Sequence, residues 1–379
     1  MSRLINKMIP ILSLLTSVLP TNVLAQSANF ATENVQELNQ AADSLNSQLE
    51  APLKYSMVGY LESWGSISIE EAVAHNYNVL VIAFGTIDGK KVGMNLNCGP
   101  SVPEGCFLPS VQWWPEPLAW KENFKKSVEF AHSKGIKVLL SFGGANNTFK
   151  PGKIDSKTLA ASLVSYLTSL NLDGIDFDLE NISTAEFPGN DLERQQYIDD
   201  LIKQIKLIDN KTLITSAPQI NPVQGASGIE IQFVNTGSEM VYNKAIANNL
   251  FDYIFAQAYN TPGFSVDNKC VVQWQNANDE FYPVFISKIA PCLEKLLPNG
   301  SKTKIMIGEP ANSSNNAGRG ALENGTYAQI ANEYKKIKGL PSFGGAMTWS
   351  ITEDSKTSDD KGPRTPYSFS SALLPILSK

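Results

Sequence analysis

Asp173-Gly174-Ile175-Asp176-Phe177-Asp178-Leu179-Glu180 is the stretch on which this sequence turns. Acidic and apolar residues alternate along it, and a β-strand sends successive side chains to opposite faces. Asp176, Asp178 and Glu180 therefore share one face, while Ile175, Phe177 and Leu179 share the other. Carboxyls two residues apart on a strand lie roughly 6–7 Å from each other, so ionising all three inside a fold is disfavoured. One of them should keep its proton. A protonated carboxyl beside carboxylates is what general acid catalysis on a leaving oxygen requires. The plainer reading is an acidic strand end that faces water or binds a cation. The regular apolar alternation argues instead for a strand packed on a core.

Short β-rich runs recur on either side of this one, at 55–60, 79–84, 137–142, 174–179, 213–217, 253–257, 304–308 and 345–349. Segments with helical periodicity lie between them, at 70–76, 120–134, 157–170, 192–208, 280–297 and 327–338. Eight strand–helix units predict an α/β fold, a single closed (β/α)8 TIM barrel over residues 52–379. An open doubly wound sheet is the alternative, but no Gly-rich phosphate loop follows the first run. In such a barrel the polar residues at strand C-termini converge on one mouth. Glu180 ends the fourth run. The other ends offer Tyr60, Ser141 with Gly143 and Gly144, Gln219, Gln257 with Tyr259 and Asn260, and Trp349. Taken singly these are core aromatics, a turn and loop amides. Together they surround a protonated carboxyl with amides, phenols and an aromatic floor, the composition of a sugar site.

Composition narrows the remaining choices. With 42% hydrophobic residues the chain can bury a full core, and a net charge of -6 argues against a nucleic-acid or anionic-membrane partner. Only two histidines occur, His75 and His132, both in helix-like segments, so no zinc site, other metal site or His-based triad is expected. Residues 1–25 have the parts of a secretory signal: Arg3 and Lys7, an apolar run from Met8 to Leu19, and Val23-Leu24-Ala25 as a cleavage site. That run is too short to span a membrane. Residues 26–51 carry Val35, Leu38, Ala42, Leu45 and Leu49 on one helical stripe, which predicts a polar spacer helix. Export suits the four cysteines, whose nearest pairings are Cys98 with Cys106 and Cys270 with Cys292. Six Asn-X-Ser/Thr sequons include one at Asn181, where a glycan would block Glu180, which points to a bacterial host. A secreted monomer without a cofactor is expected.

These residues resemble family 18 glycoside hydrolases, the chitinases and their relatives. The fourth-strand pattern Asp-Gly-X-Asp-X-Asp-X-Glu is met in full by 173–180. Ser141-Phe142-Gly143-Gly144 matches the third-strand Ser-X-Gly-Gly, Gln257-Ala258-Tyr259-Asn260 the sixth-strand Gln-X-Tyr-Asn, and Trp349 the eighth-strand tryptophan. Ala217-Pro218-Gln219 looks like the fifth-strand element of the smaller bacterial and plant-type chitinases. The resemblance implies hydrolysis of β-1,4-linked N-acetylglucosamine polymers with retention, the substrate's own acetamido oxygen replacing the usual carboxylate nucleophile. It further implies that Glu180 protonates the glycosidic oxygen and then activates water. Asp178 would orient the acetamido group, Asp176 would share a proton with Asp178, and Tyr259 would donate to the acetamido oxygen. Trp349 would floor the distorted sugar, with Gln257, Asn260, Gln219, Tyr60, Ser141 and Gly143 as further substrate contacts. Larger members carry an insertion between strands seven and eight that this chain has no room for, so an open groove and internal cleavage are expected. Trp113 and Trp114 would extend the sugar platform or anchor their loop. An endo-β-N-acetylglucosaminidase acting on N-glycan cores and a non-catalytic chitin-binding lectin are the alternatives.

Overall fold

The computed structural model describes residues 54–94, 120–225, 228–274 and 279–378. The chain divides into two units, Met1–Pro52 and Leu53–Lys379, and the described residues all belong to the second. The leader-like residues 1–25, the spacer 26–51, Cys98, Cys106, Trp113 and Trp114 lie outside them.

Eight parallel strands close into a barrel: β1 (Ser56–Glu62), β2 (Val79–Asp88), β3 (Lys137–Gly143), β4 (Gly174–Asp178), β5 (Leu213–Ser216), β6 (Tyr253–Gln257), β7 (Lys304–Pro310) and β8 (Phe343–Trp349). Each pairs with its neighbour in sequence, and β8 returns to pair with β1, so no barrel edge is left open. The helices α1 (Ile69–Ala74), α2 (Trp120–Ser133), α3 (Ser156–Ser169), α4 (Asp191–Ile208), α5 (Asn243–Ala247), α6 (Val284–Glu294), α7 (Tyr327–Ile337) and α8 (Ser368–Leu377) each follow the strand of the same number. The expected (β/α)8 TIM barrel is the observed fold, with most strand ends displaced by only one or two residues.

Sequence chemistry accounts for these elements. Helix α4 buries Ile198, Leu201, Ile202 and Ile205, one apolar stripe at helical spacing. Its start is closed by a capping box in which the Asn190 side chain accepts from the Glu193 amide and the Glu193 carboxylate accepts from the Asn190 amide. Thr326 and Gln329 do the same for α7. Strand β4 alternates as its sequence demands. Ile175, Phe177 and Leu179 are buried in the layer between barrel and helices, where Phe177 meets the Phe149 ring edge-on at 6.0 Å. Burying a side chain of that size contributes about 1.5–3 kcal/mol. Asp176 and Asp178 face inward instead, into an interior otherwise filled by residues such as Val58, Val81, Leu139, Phe255, Met306 and Met347.

Asp173, the first acid of the motif, belongs to the other end of the barrel. It takes His132 Nε2 at 2.7 Å, Lys137 Nζ at 2.8 Å and the Val138 amide at 2.8 Å, tying α2 and β3 to the start of β4. His75 stacks on Tyr367 at 3.4 Å. Both histidines therefore serve the scaffold. The segment from β7 to β8 holds a loop with a short 3-10 turn at Ala321–Glu323, then α7 and a short connection, without an inserted domain. Among the described residues no cluster of three or more His, Cys, Asp or Glu is placed to hold a metal ion, and no helix is long and apolar enough to cross a membrane.

Candidate active site

Pairing register decides what surrounds the acids. Asp176 stands opposite Ser141 of β3 and Thr215 of β5, on the same inward face. Both hydroxyls donate to its carboxyl at 2.6 Å, and the Tyr60 phenol donates at 2.8 Å. Asp176 is fully buried, and burial pushes its carboxyl up while the three hydroxyls pull it down. Tyr60 and Ser141, read from sequence as sugar contacts, are also buried and turned onto Asp176 rather than lining the cleft. The strand rule places them on the inner face but does not say at which depth.

One step up the strand, Asp178 accepts from Gln257 Nε2 at 2.9 Å, and the same amide group also donates to the Ala217 carbonyl. Its carboxyl is driven well above the usual range, first by burial, then by the charges of Glu180 and Asp176. Asp178 and Glu180 therefore act on each other as neighbouring buried acids, and ionising both is disfavoured. Glu180 is itself raised by burial and has Gln219 Nε2 at 3.4 Å.

The strand end is held from outside by a residue sequence reading missed. The buried Tyr242 phenol accepts from the Leu179 amide at 2.7 Å and donates to the Phe177 carbonyl at 3.1 Å. A tyrosine in a loop before a short helix carries no signal for this. On the other side the Gly144 amide donates to the Asp178 carbonyl at 2.7 Å. Gly143 has φ +125°, and a Cβ there would collide with that same carbonyl oxygen, so only glycine lets β3 approach.

A cleft of about 430 Å³ opens above the acids. Asp178, Glu180, Gln219, Gln257, Tyr259, Asn260, Gly143 and Trp349 all line it, as read from the sequence. Tyr259 is buried with its phenol held neutral by burial and the Asp178 charge. The side-chain oxygen of Asn260 is taken by the Arg319 amide at 2.7 Å. Trp64 and Phe84 add to the aromatic wall, with Phe84 stacked 5.9 Å from Trp349 and Trp64 6.0 Å from Phe84. Phe84 was legible only as a strand residue, and Trp64 lies two residues beyond the observed end of β1. A second opening of about 580 Å³ at the opposite end of the barrel, by Asp252 and Lys304, has none of these groups.

Carboxyls raised by burial, facing a cleft with an aromatic wall at the C-terminal mouth of the barrel, have the chemistry that acid–base catalysis at a sugar bond requires. The fold and this cleft define the chain as a (β/α)8-barrel glycoside hydrolase. Residues 56–287, more than half of its length, match the model of glycosyl hydrolases family 18, and the chain belongs to that family. It is similar to an acidic endochitinase of Phaseolus angularis, 26% identical over 314 residues that cover 78% of this chain and 85% of that one. A chitinase of Enterococcus faecalis is 24% identical over 343 residues, covering 83% and 86%. The crystal structure of a GH18 chitinase from Pseudoalteromonas aurantia shares the fold, with a TM-score of 0.56, 20% identity and coverage of 85% and 100%.

Proposed function

We infer that the protein is a secreted chitinase that cleaves β-1,4-linked N-acetylglucosamine chains internally, with retention, by substrate-assisted catalysis. The observation that carries this reading is where the acids stand. Among the described residues the carboxyls lining the cleft are Asp178 and Glu180, both from the end of one strand. Among the described residues no other carboxyl lines the cleft to act as nucleophile, which suits attack by the substrate's acetamido oxygen. Glu180 then protonates the glycosidic oxygen and later activates water. Asp178 accepts from the acetamido N–H and holds the oxygen in line with the anomeric carbon. Asp176, fixed by its three hydroxyls, sets the charge Asp178 feels. Tyr259 donates to the acetamido oxygen, and Trp349 floors the sugar that reacts.

The relatives named as endochitinase and chitinase, matched over most of both chains, support the substrate class. The open segment between β7 and β8 supports internal cleavage. Secretion is supported by the leader-like residues 1–25 and by the Cys270–Cys292 disulfide, which belongs to an oxidising compartment. The deciding experiment replaces Glu180 with Gln, which keeps shape and removes the acid. We expect hydrolysis of chitin oligosaccharides to fall about a hundredfold or more while binding persists. Turnover unchanged in E180Q would remove the mechanism. Cleavage of a high-mannose glycopeptide in place of chitin oligosaccharides would move the substrate to N-glycan cores.

A further inference from the structure

Beyond Trp349 the groove continues into a second cavity of about 720 Å³. It shares Trp64, Asn316 and Trp349 with the catalytic cleft and is otherwise walled by Glu62, the last residue of β1, and by residues that follow β1 and β8, Lys356 among them. In the closed strand order β8 and β1 stand across the barrel from β4, so this cavity lies on the far side of Trp349 from Glu180. A sugar resting on Trp349 with its glycosidic oxygen toward Glu180 points its other end here. The units that follow it toward the non-reducing end therefore enter this cavity.

The charges in the cavity are unevenly matched. Glu353 accepts from Lys356 Nζ at 2.5 Å, Ser314 Oγ at 2.8 Å and Asn312 Nδ2 at 3.1 Å, so that acid and that ammonium neutralise each other. Glu62 is 8% exposed and accepts from the Ser350 hydroxyl at 2.5 Å, a neutral partner. Burial and the nearby Glu353 charge push its carboxyl up, while the Ser350 hydroxyl and the Lys356 charge pull it down. Two acids, Glu62 and Glu353, thus share this cavity with the single ammonium of Lys356, which lies on Glu353. The Thr352 hydroxyl is buried on the same wall without a partner. A cation there would gain a charge-assisted hydrogen bond, roughly twice as strong as a neutral one.

We propose that Glu62 makes this part of the groove select a sugar with a free amine, a glucosamine unit of partly deacetylated chitin on the non-reducing side of the cut. The proposal rests on the chitinase reading of the site. It divides the requirement along the chain: the sugar on Trp349 must keep its acetamido group, which supplies the attacking oxygen, and the units beyond it gain by losing theirs.

The test digests a randomly acetylated chitosan and maps the units next to each new reducing end by mass spectrometry. We expect the end unit to be acetylated throughout, and glucosamine to be enriched in the following units above its frequency in the polymer. In E62Q that enrichment should disappear. The preference in kcat/KM for oligomers carrying glucosamine there should fall about tenfold, the loss of one charge-assisted contact. Activity of E62Q on fully acetylated oligomers should stay near wild type, which also reports that the variant folds. Glucosamine at or below its polymer frequency in the wild-type map overturns the proposal with no variant needed, and so does enrichment that survives E62Q. Cleavage of fully acetylated oligomers by the wild type reads the chitinase assignment separately: without it both inferences fall, and with it a flat map removes only the role of Glu62.

Discussion

Asp176 accepts three hydroxyl hydrogens in a space closed to water, and each donor favours its ionised form against the burial that opposes it. Removing one donor, as in Ser141→Ala or Thr215→Val, should raise the Asp176 pKa further. If the ionised form of Asp176 supports catalysis, the acid limb of the kcat/KM against pH profile moves to higher pH in these variants, with a stability loss of about 1–3 kcal/mol in a denaturant titration. An acid limb that stays in place would show that Asp176 only fills space. Tyr259→Phe should lower kcat with little change in KM, because its hydroxyl is assigned to the reacting acetamido group; a change confined to KM would remove that role. At this scale the sequence shows which residues face inward. It does not show that Tyr60 and Ser141 stop at Asp176 while Trp64 and Phe84 reach the cleft, because depth along a strand depends on the stagger of its neighbours.

The loops between strands and helices are where element boundaries departed most from sequence reading. Strand β1 runs on to Glu62 and β2 to Asp88, and the chain after β5 forms a hairpin, Gln219–Gly225 with Gly228–Val234, that carries Gln219 to the mouth. Its mixed polar sequence lacks the continuous apolar run that marked the barrel strands, since only one face is covered. The long connection from β6 to α6 is tied by the Cys270–Cys292 disulfide, which spans 22 residues of sequence. A cross-link of that span stabilises by about 3 kcal/mol in the chain-entropy account. Cys292→Ala, or reduction of the wild type, should lower the melting temperature accordingly in calorimetry. A melting temperature indifferent to reductant would mean that the connection is held without it.

Across the whole molecule, several buried acids have pKa values raised by folding: Asp176, Asp178, Glu180 and Glu309 by burial, and Glu280 up to about 7. Such groups bind protons more tightly in the native state. Their contribution to stability is complete below the unfolded carboxyl pKa of about 4 and is lost as pH rises through the folded values. Acids lowered by hydrogen bonds at the surface, Asp155, Glu186 and Asp209, act in the opposite sense and lose their contribution as pH falls toward theirs. The melting temperature should therefore be highest in mildly acidic solution and decline from about pH 7 upward. A flat profile between pH 5 and 9 would contradict this. The alternation in 173–180 and its seven companion runs determined the barrel from sequence alone, because period-two burial and a strand–helix rhythm are local properties that admit few closures. Which donors surround Asp176 and Asp178, and where Glu62 stands relative to Trp349, was decided only by the tertiary structure. Those facts depend on register, stagger and the order of strands around the mouth, which bring together residues far apart in the chain.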